Sequence, residues 1–317
     1  MIGPWTLRGL GVLGMNQRNA GYILKNNPRS HYPLVDDKLK TKDLLIKHRI
    51  PTPPVYAKIE RAHDLRPLLD KPDFPVDFAL KPARGAEGRG IIVITGKRKG
   101  VWEKASGEKL TIDDLEYHVV NILAGLFSLG GDDDRAILEY RVKSHPAFAP
   151  LVYRGVPDVR IILYKGVPVM SMLRLPTRHS DGKANLHQGA VGAGVDMTTG
   201  VTRGGVCRNR FIDKHPDTGE PIAGLQVPYW KALLDISVRT YSIFGLGYMG
   251  IDFVVDESLG PLILELNARP GLSIQIANRQ GLVPRLNVID RWAEGHDPAE
   301  DLFVEKLGLL EQIEKAR

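Results

Sequence analysis

Apolar positions recur along this chain at two spacings, and the switches between them mark its elements. In "DDKLKTKDLLIKHRI", residues 36–50, Leu39, Leu44, Leu45 and Ile46 form a partial helical stripe, and Asp36 or Asp37 can cap it. "PTPP" stops that helix at 51–54. "VYAKIE" then reads as a strand, "AHDLRPLLD" as a short helix, "DFALKP" (77–82) and "GIIVIT" (90–95) as strands. Leu115, Val119, Ile122, Leu123 and Leu126 predict a helix over 112–129, followed by a strand "RAILEYRV" at 135–142. The second half offers strands "DVRIILY" and "VPVMSMLRL", a Gly-rich stretch from Asn185 to Gly205, and a helix "YWKALLDISVRTYSIFG". A hairpin "GIDFVVDESLGPLILELNA" and a helical tail complete it. Residues 1–35 read as irregular, with one short helix near Arg18–Lys25. Mixed strands and helices with hairpins predict an α+β protein with antiparallel sheets. The expected division is a short segment 1–35, a small lobe 36–135, a larger lobe 136–285 and a helical tail 286–317.

Composition adds boundaries. The 317 residues are 43% hydrophobic and 25% charged, as in ordinary globular proteins. The single cysteine, Cys207, cannot form an internal disulfide, and no Cys/His metal spacing is present. With no signal peptide and no long apolar run, a cytoplasmic location and no membrane span are expected. The net charge of +6 is spread along the chain, densest in "TGKRKG" at 95–100. That run is either a solvated loop or an attraction for an anionic partner. No aromatic-and-basic nucleic-acid module is apparent, so nucleic acid is not an expected partner.

Four motifs carry candidate chemistry. In "FALKPARGAEGRGI", a strand delivers Lys81 to a loop with Gly85, Gly88 and Gly90. Such glycines let backbone N–H groups approach phosphate oxygens, although a hairpin turn would use them too. Arg160 and Arg174 interrupt apolar runs on neighbouring strands, as edge charges or as an anion clamp. Asn185 and His187 sit in "KANLHQGAVGAG", where a loop histidine is either solvated or an acid/base group. In the final hairpin, a turn centred on Ser258–Leu259 makes paired residue numbers sum to 517, which sets Asp252 opposite Glu265. Asn267 follows on the same face. Two facing carboxylates repel, and a hard divalent cation would relieve that repulsion using three oxygen-bearing side chains.

In this order the motifs resemble the ATP-grasp superfamily, and within it the RimK-type alpha-L-glutamate ligases and alpha-L-glutamate ligase-like proteins. The resemblance covers residues 36 to about 280 and rests on "DVRIILYKGVPVMSMLR", "NLHQGA", "GIDFVV" and "ILELNARPGL". It implies two α+β lobes whose antiparallel sheets clasp a nucleotide. It also implies ATP and two Mg²⁺ ions, with Mn²⁺ as an alternative. Residue by residue, Lys38 and Lys81 match phosphate lysines. Gly85, Glu87, Gly88 and Gly90 match the phosphate-covering loop, and Glu139, Tyr140 and Val142 the adenine hinge. Arg160 and Arg174 match positions near the γ-phosphate and acyl phosphate, Asn185 and His187 the loop beside the phosphates. Asp252, Glu265 and Asn267 match the metal ligands. Arg269, on the face of Glu265 and Asn267, is placed near the acyl phosphate or substrate carboxylate. About 35 residues precede Lys38, too few for the Rossmann-like domain that such enzymes usually carry there, and its absence leaves the substrate open.

The implied reaction joins a carboxylate to an amine through an acyl phosphate, with glutamate or an acidic peptide as partner and a homo-oligomer as an open option. The alternatives are an ATP-grasp kinase acting on a hydroxyl and a non-catalytic ATP-binding protein.

Overall fold

A computed structural model describes residues 4–85, 88–128, 131–298 and 303–316, with side chains from residue 6 onward. The chain divides into two compact units. One comprises Met1–Asp36, Lys40–Thr52 and Lys143–Arg317, the other Asp37–Leu39 and Pro53–Val142.

The unit of Pro53–Val142 is built on six antiparallel strands: β1 (Val55–Ile59), β2 (Phe78–Pro82), β3 (Ile92–Arg98), β4 (Val101–Lys104), β5 (Lys109–Leu110) and β6 (Ala136–Glu139). Their spatial order is β1-β6-β2-β3-β4-β5. The helix Ile112–Leu123 lays Leu115, Val119 and Ile122 on the core with Phe78, Leu80, Ile94 and Trp102. Thr111 and Asp114 close a reciprocal capping box at its start. The helix stops at Leu123, six residues short of the sequence expectation. Gly125 takes a left-handed φ of 75°, and a Cβ there would lie 2.4 Å from the Asp132 carbonyl oxygen. The strand expected at 90–95 runs instead from Ile92 to Arg98, because Gly88 and Gly90 both hold positive φ and keep the chain turning.

The larger unit carries seven antiparallel strands: β7 (Asp158–Tyr164), β8 (Val167–Leu175), β9 (Val191–Val195), β10 (Thr202–Cys207), β11 (Arg210–Ile212), β12 (Tyr248–Asp256) and β13 (Gly260–Asn267). They are ordered β11-β10-β9-β8-β7-β12-β13. On one face Val159, Ile161, Leu163, Leu173, Ile251 and Phe253 pack against the helix Trp230–Phe244 through Leu233 and Ile236. On the other, Ile162, Tyr164, Met172 and Tyr248 meet Ile274, Leu282 and Leu286 of the C-terminal helices. The N-terminal segment is more regular than expected. Residues Met15–Asn26 form a helix whose middle, Arg18–Ile23, is π-helical, and Tyr22 and Ile23 enter the second cluster.

The Gly-rich stretch 185–205 opens on a short turn, Leu186–Gln188, and then runs into strands. It contains β9 and most of β10, and β9 is buried along its whole length. Gly192 and Gly194 of β9 face the helix Ile274–Asn278, where side chains would collide: a Cβ on Gly194 would lie 2.8 Å from the Ala277 carbonyl oxygen.

Candidate active site

Asp252 sits on β12, the penultimate strand of the large sheet, with β7 on one side and the edge strand β13 on the other. It pairs with Arg160 across β7 and with Glu265 across β13. The Glu265 pairing is the expected one, but it arises differently. The connection is three residues long, so Asp256 faces Gly260 and Phe253 faces Ile263. A bulge at Leu264 then shifts β13 by one residue and brings Glu265 opposite Asp252 and Asn267 opposite Gly250.

Both arginines converge on Asp252. Arg160 binds it through two hydrogen bonds of 2.6 Å, Nε to Oδ1 and Nη2 to Oδ2. Arg174 Nη2 lies 2.8 Å from the same Oδ2. Asn267 Nδ2 donates to Oδ2 as well, at 3.3 Å. Arg174 also donates from Nε and Nη2 to Asp158, which stands opposite it across β7 and β8. Two guanidinium groups and two carboxylates thus form one buried set. Burial alone would raise the Asp252 carboxyl, but Arg160 and Arg174 outweigh it and hold it below the usual range. Burial raises Asp158, with Arg174 pulling down and the Asp252 charge pushing up. Arg160 and Arg174 are therefore an anion clamp already closed on carboxylates, and they relieve the repulsion that Asp252 and Glu265 would otherwise suffer. Asp158 is a partner the sequence reasoning missed. Its signal was the D-x-R spacing, which puts Asp158 and Arg160 on one strand face.

The donor set fits a hard divalent cation in its chemistry. Asp252 is held ionised, and its Oδ1 accepts a single hydrogen bond. Asn267 spends its amide N–H on Asp252, which leaves its carbonyl Oδ1 as a donor atom. Glu265 is half-buried beside them.

Arg269 lies beyond the end of β13. It is exposed and stacks 4.7 Å above the Tyr32 ring, apart from the carboxylates. Asn185 caps a short turn by accepting the His187 N–H at 3.0 Å, and His187 is exposed.

In the smaller unit, Lys81 and Glu139 are brought together. Lys81 Nζ lies 2.5 Å from Glu139 Oε1, with side chains only 4% and 3% exposed. Lys38 Nζ donates to the Gly85 carbonyl, and its own N–H to Ala83 O at 3.0 Å. Gly90 is positioned by its surroundings: a Cβ would strike the Phe127 ring at 2.5 Å, and His118 Nε2 lies 2.8 Å from its carbonyl. Asp134 accepts from Arg84 N and Ser128 Oγ, which ties the start of the glycine segment to the turn that follows the helix Ile112–Leu123. Glu87 lies outside the described residues. Tyr140 N donates to Pro54 O at 2.8 Å, and Tyr140 and Val142 are half-buried.

A family model for sugar-transfer associated ATP-grasp proteins matches residues 17–291. The chain belongs to this family. Its ATP-grasp fold is also that of biotin carboxylase from Campylobacter jejuni in a beta-gamma-ATP complex. That likeness has a TM-score of 0.51 at 15% identity, over 95% of this chain and 53% of the carboxylase. D-alanine–D-alanine ligase from Bacillus anthracis, complexed with ATP, matches at 14% identity over 90% of this chain and 69% of its own, with a TM-score of 0.44. The ATP-grasp ligase PsnB, complexed with a minimal precursor, matches at 14% identity over 85% of this chain, with a TM-score of 0.45. The chain spans 63% of the length of PsnB. At these identities the likeness is one of fold. No curated protein matches the chain. Among the described residues, no helix of this ATP-grasp protein is long and apolar enough to cross a membrane.

Proposed function

We propose that this protein is an ATP-dependent ligase that joins a carboxylate to an amine through an acyl phosphate. The observation that carries the reading is the Arg160–Asp252–Arg174 set with Glu265 and Asn267 on adjoining strands of an ATP-grasp chain. A substrate carboxylate attacks the γ-phosphate and releases ADP. An amine then attacks the acyl carbon, the C–O bond to phosphate breaks, and the amine proton leaves to solvent. Lys38 and Lys81 supply cations for the nucleotide phosphates, and Gly85, Gly88 and Gly90 supply backbone N–H groups. Glu139, Tyr140 and Val142 supply the adenine contacts. Arg160 and Arg174 stabilise charge on the transferred phosphoryl group. Asp252, Glu265 and Asn267 would hold Mg²⁺, which lowers the charge repulsion between phosphate and incoming carboxylate when bound. No protein nucleophile is required.

The substrate class follows the resemblance to glutamate ligases: glutamate or another amino acid, joined to a peptide or small molecule. One rival is favoured by the closed clamp itself: nucleotide binding without turnover, with Asp252 serving structure alone. ADP release in the presence of ATP, Mg²⁺ and a metabolite extract separates the two, and mass spectrometry separates an amide product from a phosphorylated alcohol. Glu265→Ala is expected to abolish ADP release while retaining a wild-type circular dichroism spectrum. Undiminished ADP release by this variant would remove Glu265 from the metal set.

A further inference from the structure

At one end of the large sheet, cations gather that form no ion pair with a carboxylate among the described residues. Arg160, Arg174, Arg203 and Arg285 of the same unit each meet a carboxylate. Among the described residues, Arg154, Arg178, Lys183 and Arg208 meet none, and all four are exposed. Two of them share one aromatic ring. The Cζ of Arg178 lies 4.7 Å and that of Arg154 5.3 Å from the centre of the Tyr153 ring. The two guanidinium carbons are therefore within about 10 Å of each other.

The backbone holds this arrangement. A Cβ on Gly155 would fall 1.9 Å from the Gly182 carbonyl oxygen, so the segments bearing Arg154 and Arg178 lie against one another. Arg208 reaches His179, and a Cβ on Gly189 would fall 2.3 Å from His179 Cδ2. The cationic surface thus runs into the Asn185–Gly189 loop. Two acids lie nearby, Asp181 in the same turn and Asp217, which accepts the Arg178 N–H at 2.6 Å. The four cations outnumber them. Folding does not call for this grouping, since exposed like charges repel.

Its position relative to the clamp is fixed by chain length. Arg154 is four positions before Asp158 and Arg178 four after Arg174, and Asp158 and Arg174 face each other across β7 and β8. The Cα atoms of Arg154 and Arg178 are therefore each within about 14 Å of that of a clamp residue.

We propose that Tyr153, Arg154, Arg178, His179, Lys183 and Arg208 form a subsite for a second anionic group on the substrate. The substrate then carries at least two acidic groups, carboxylates or phosphates, one reacting and one held on the order of 10 Å away. Tyr153 fixes the guanidinium groups so that less side-chain freedom is lost on binding. This assignment rests on the ligase reading for which group reacts, but the subsite itself does not.

The test uses the full chain and two probes, triglutamate for carboxylates and inorganic pyrophosphate for phosphates, by titration calorimetry. Triglutamate is titrated with and without a saturating non-hydrolysable ATP analogue, and pyrophosphate only with it, so that nucleotide subsites are filled. The expected result is saturable binding of at least one probe. The double variant Arg154→Ala/Arg178→Ala should weaken it at least tenfold, with Arg178→Lys in between, while the analogue's affinity changes less than twofold. The probe that binds identifies carboxylate or phosphate. Equal binding by wild type and the double variant overturns the subsite, as does failure of both probes to bind wild type. Failure of the ATP analogue to bind, with triglutamate still sensitive to the double variant, overturns the ligase reading and leaves the subsite standing.

Discussion

Asp252 shows how much a single residue's meaning depends on its neighbours. In sequence it is one acid in "GIDFVVD", and its placement opposite Glu265 follows from hairpin arithmetic alone. That arithmetic reached the right pair through a turn that is one residue different, because the bulge at Leu264 compensates. A bulge is decided by local twist and packing, which no spacing rule encodes. The two arginines were legible as misfits in apolar strands, but not their shared target. Convergence on Asp252 needs the order of β8, β7 and β12, and that order is a tertiary fact. The buried set implies a sharp asymmetry between its members. Asp252→Asn removes one of two carboxylates from between two guanidinium groups and leaves a buried charge short of its partner. The expected loss is about 3 kcal/mol of unfolding free energy, read by urea denaturation. A loss under about 0.5 kcal/mol would show that water and Asp158 already suffice to balance Arg160 and Arg174.

Elements were most legible where their periodicity was long and least legible where glycine carried them. The helices Lys38–Lys47 and Trp230–Phe244, strands β7 and β8 and the β12–β13 hairpin all stand where the apolar pattern puts them. Strand β9, "VGAGV", was hidden. Glycine is a poor strand former, and three small residues within one strand look like a flexible connection. The structure gives the reason for them. The helix Ile274–Asn278 approaches so closely that Asn278 Nδ2 reaches the Ser171 carbonyl of the neighbouring strand at 2.8 Å. Gly194 lies under this contact, where a Cβ would be 2.8 Å from both Ala277 O and Asn278 Oδ1, and 2.9 Å from Asn278 Cα. Backbone cannot move aside as a flexible side chain can. Gly194→Ala is therefore expected to cost about 2 kcal/mol, despite the better intrinsic propensity of alanine. The check is a thermal melt against Gly96→Ala, since Gly96 also lies in a strand but has nothing within 4 Å of its Cβ position. Equal melting of the two variants would mean that the helix is free to retreat from the sheet.

At the scale of the whole chain, the order of motifs pointed to an ATP-grasp protein, but the unit boundaries follow the cores rather than the motifs. The residues that build the core of the smaller unit, among them Ile59, Leu65, Phe78, Leu80, Ile94, Trp102, Val119 and Leu138, all fall within Pro53–Val142. Every ladder of its sheet closes within the same stretch. The contacts of Asp37–Leu39 include ion pairs from Asp37 to Arg135 at 2.6 Å and to Arg84 at 3.9 Å, the Lys38 bonds to Gly85 and Ala83, and Leu39 against Ala83 and Ile137. None of these supports the Phe78–Trp102–helix core. A fragment of residues 53–142 is thus expected to fold by itself, with the modest stability of a small domain, about 3–5 kcal/mol. Trp102 is the only tryptophan in that stretch, is 2% exposed and packs edge-on against Phe78 at 5.3 Å between ring centres. Its emission should be blue-shifted in the folded fragment and move red in one cooperative urea transition coincident with loss of circular dichroism. A red emission maximum in buffer, or a gradual change without a midpoint, would mean that Asp37–Leu39 or the larger unit supplies what this core lacks.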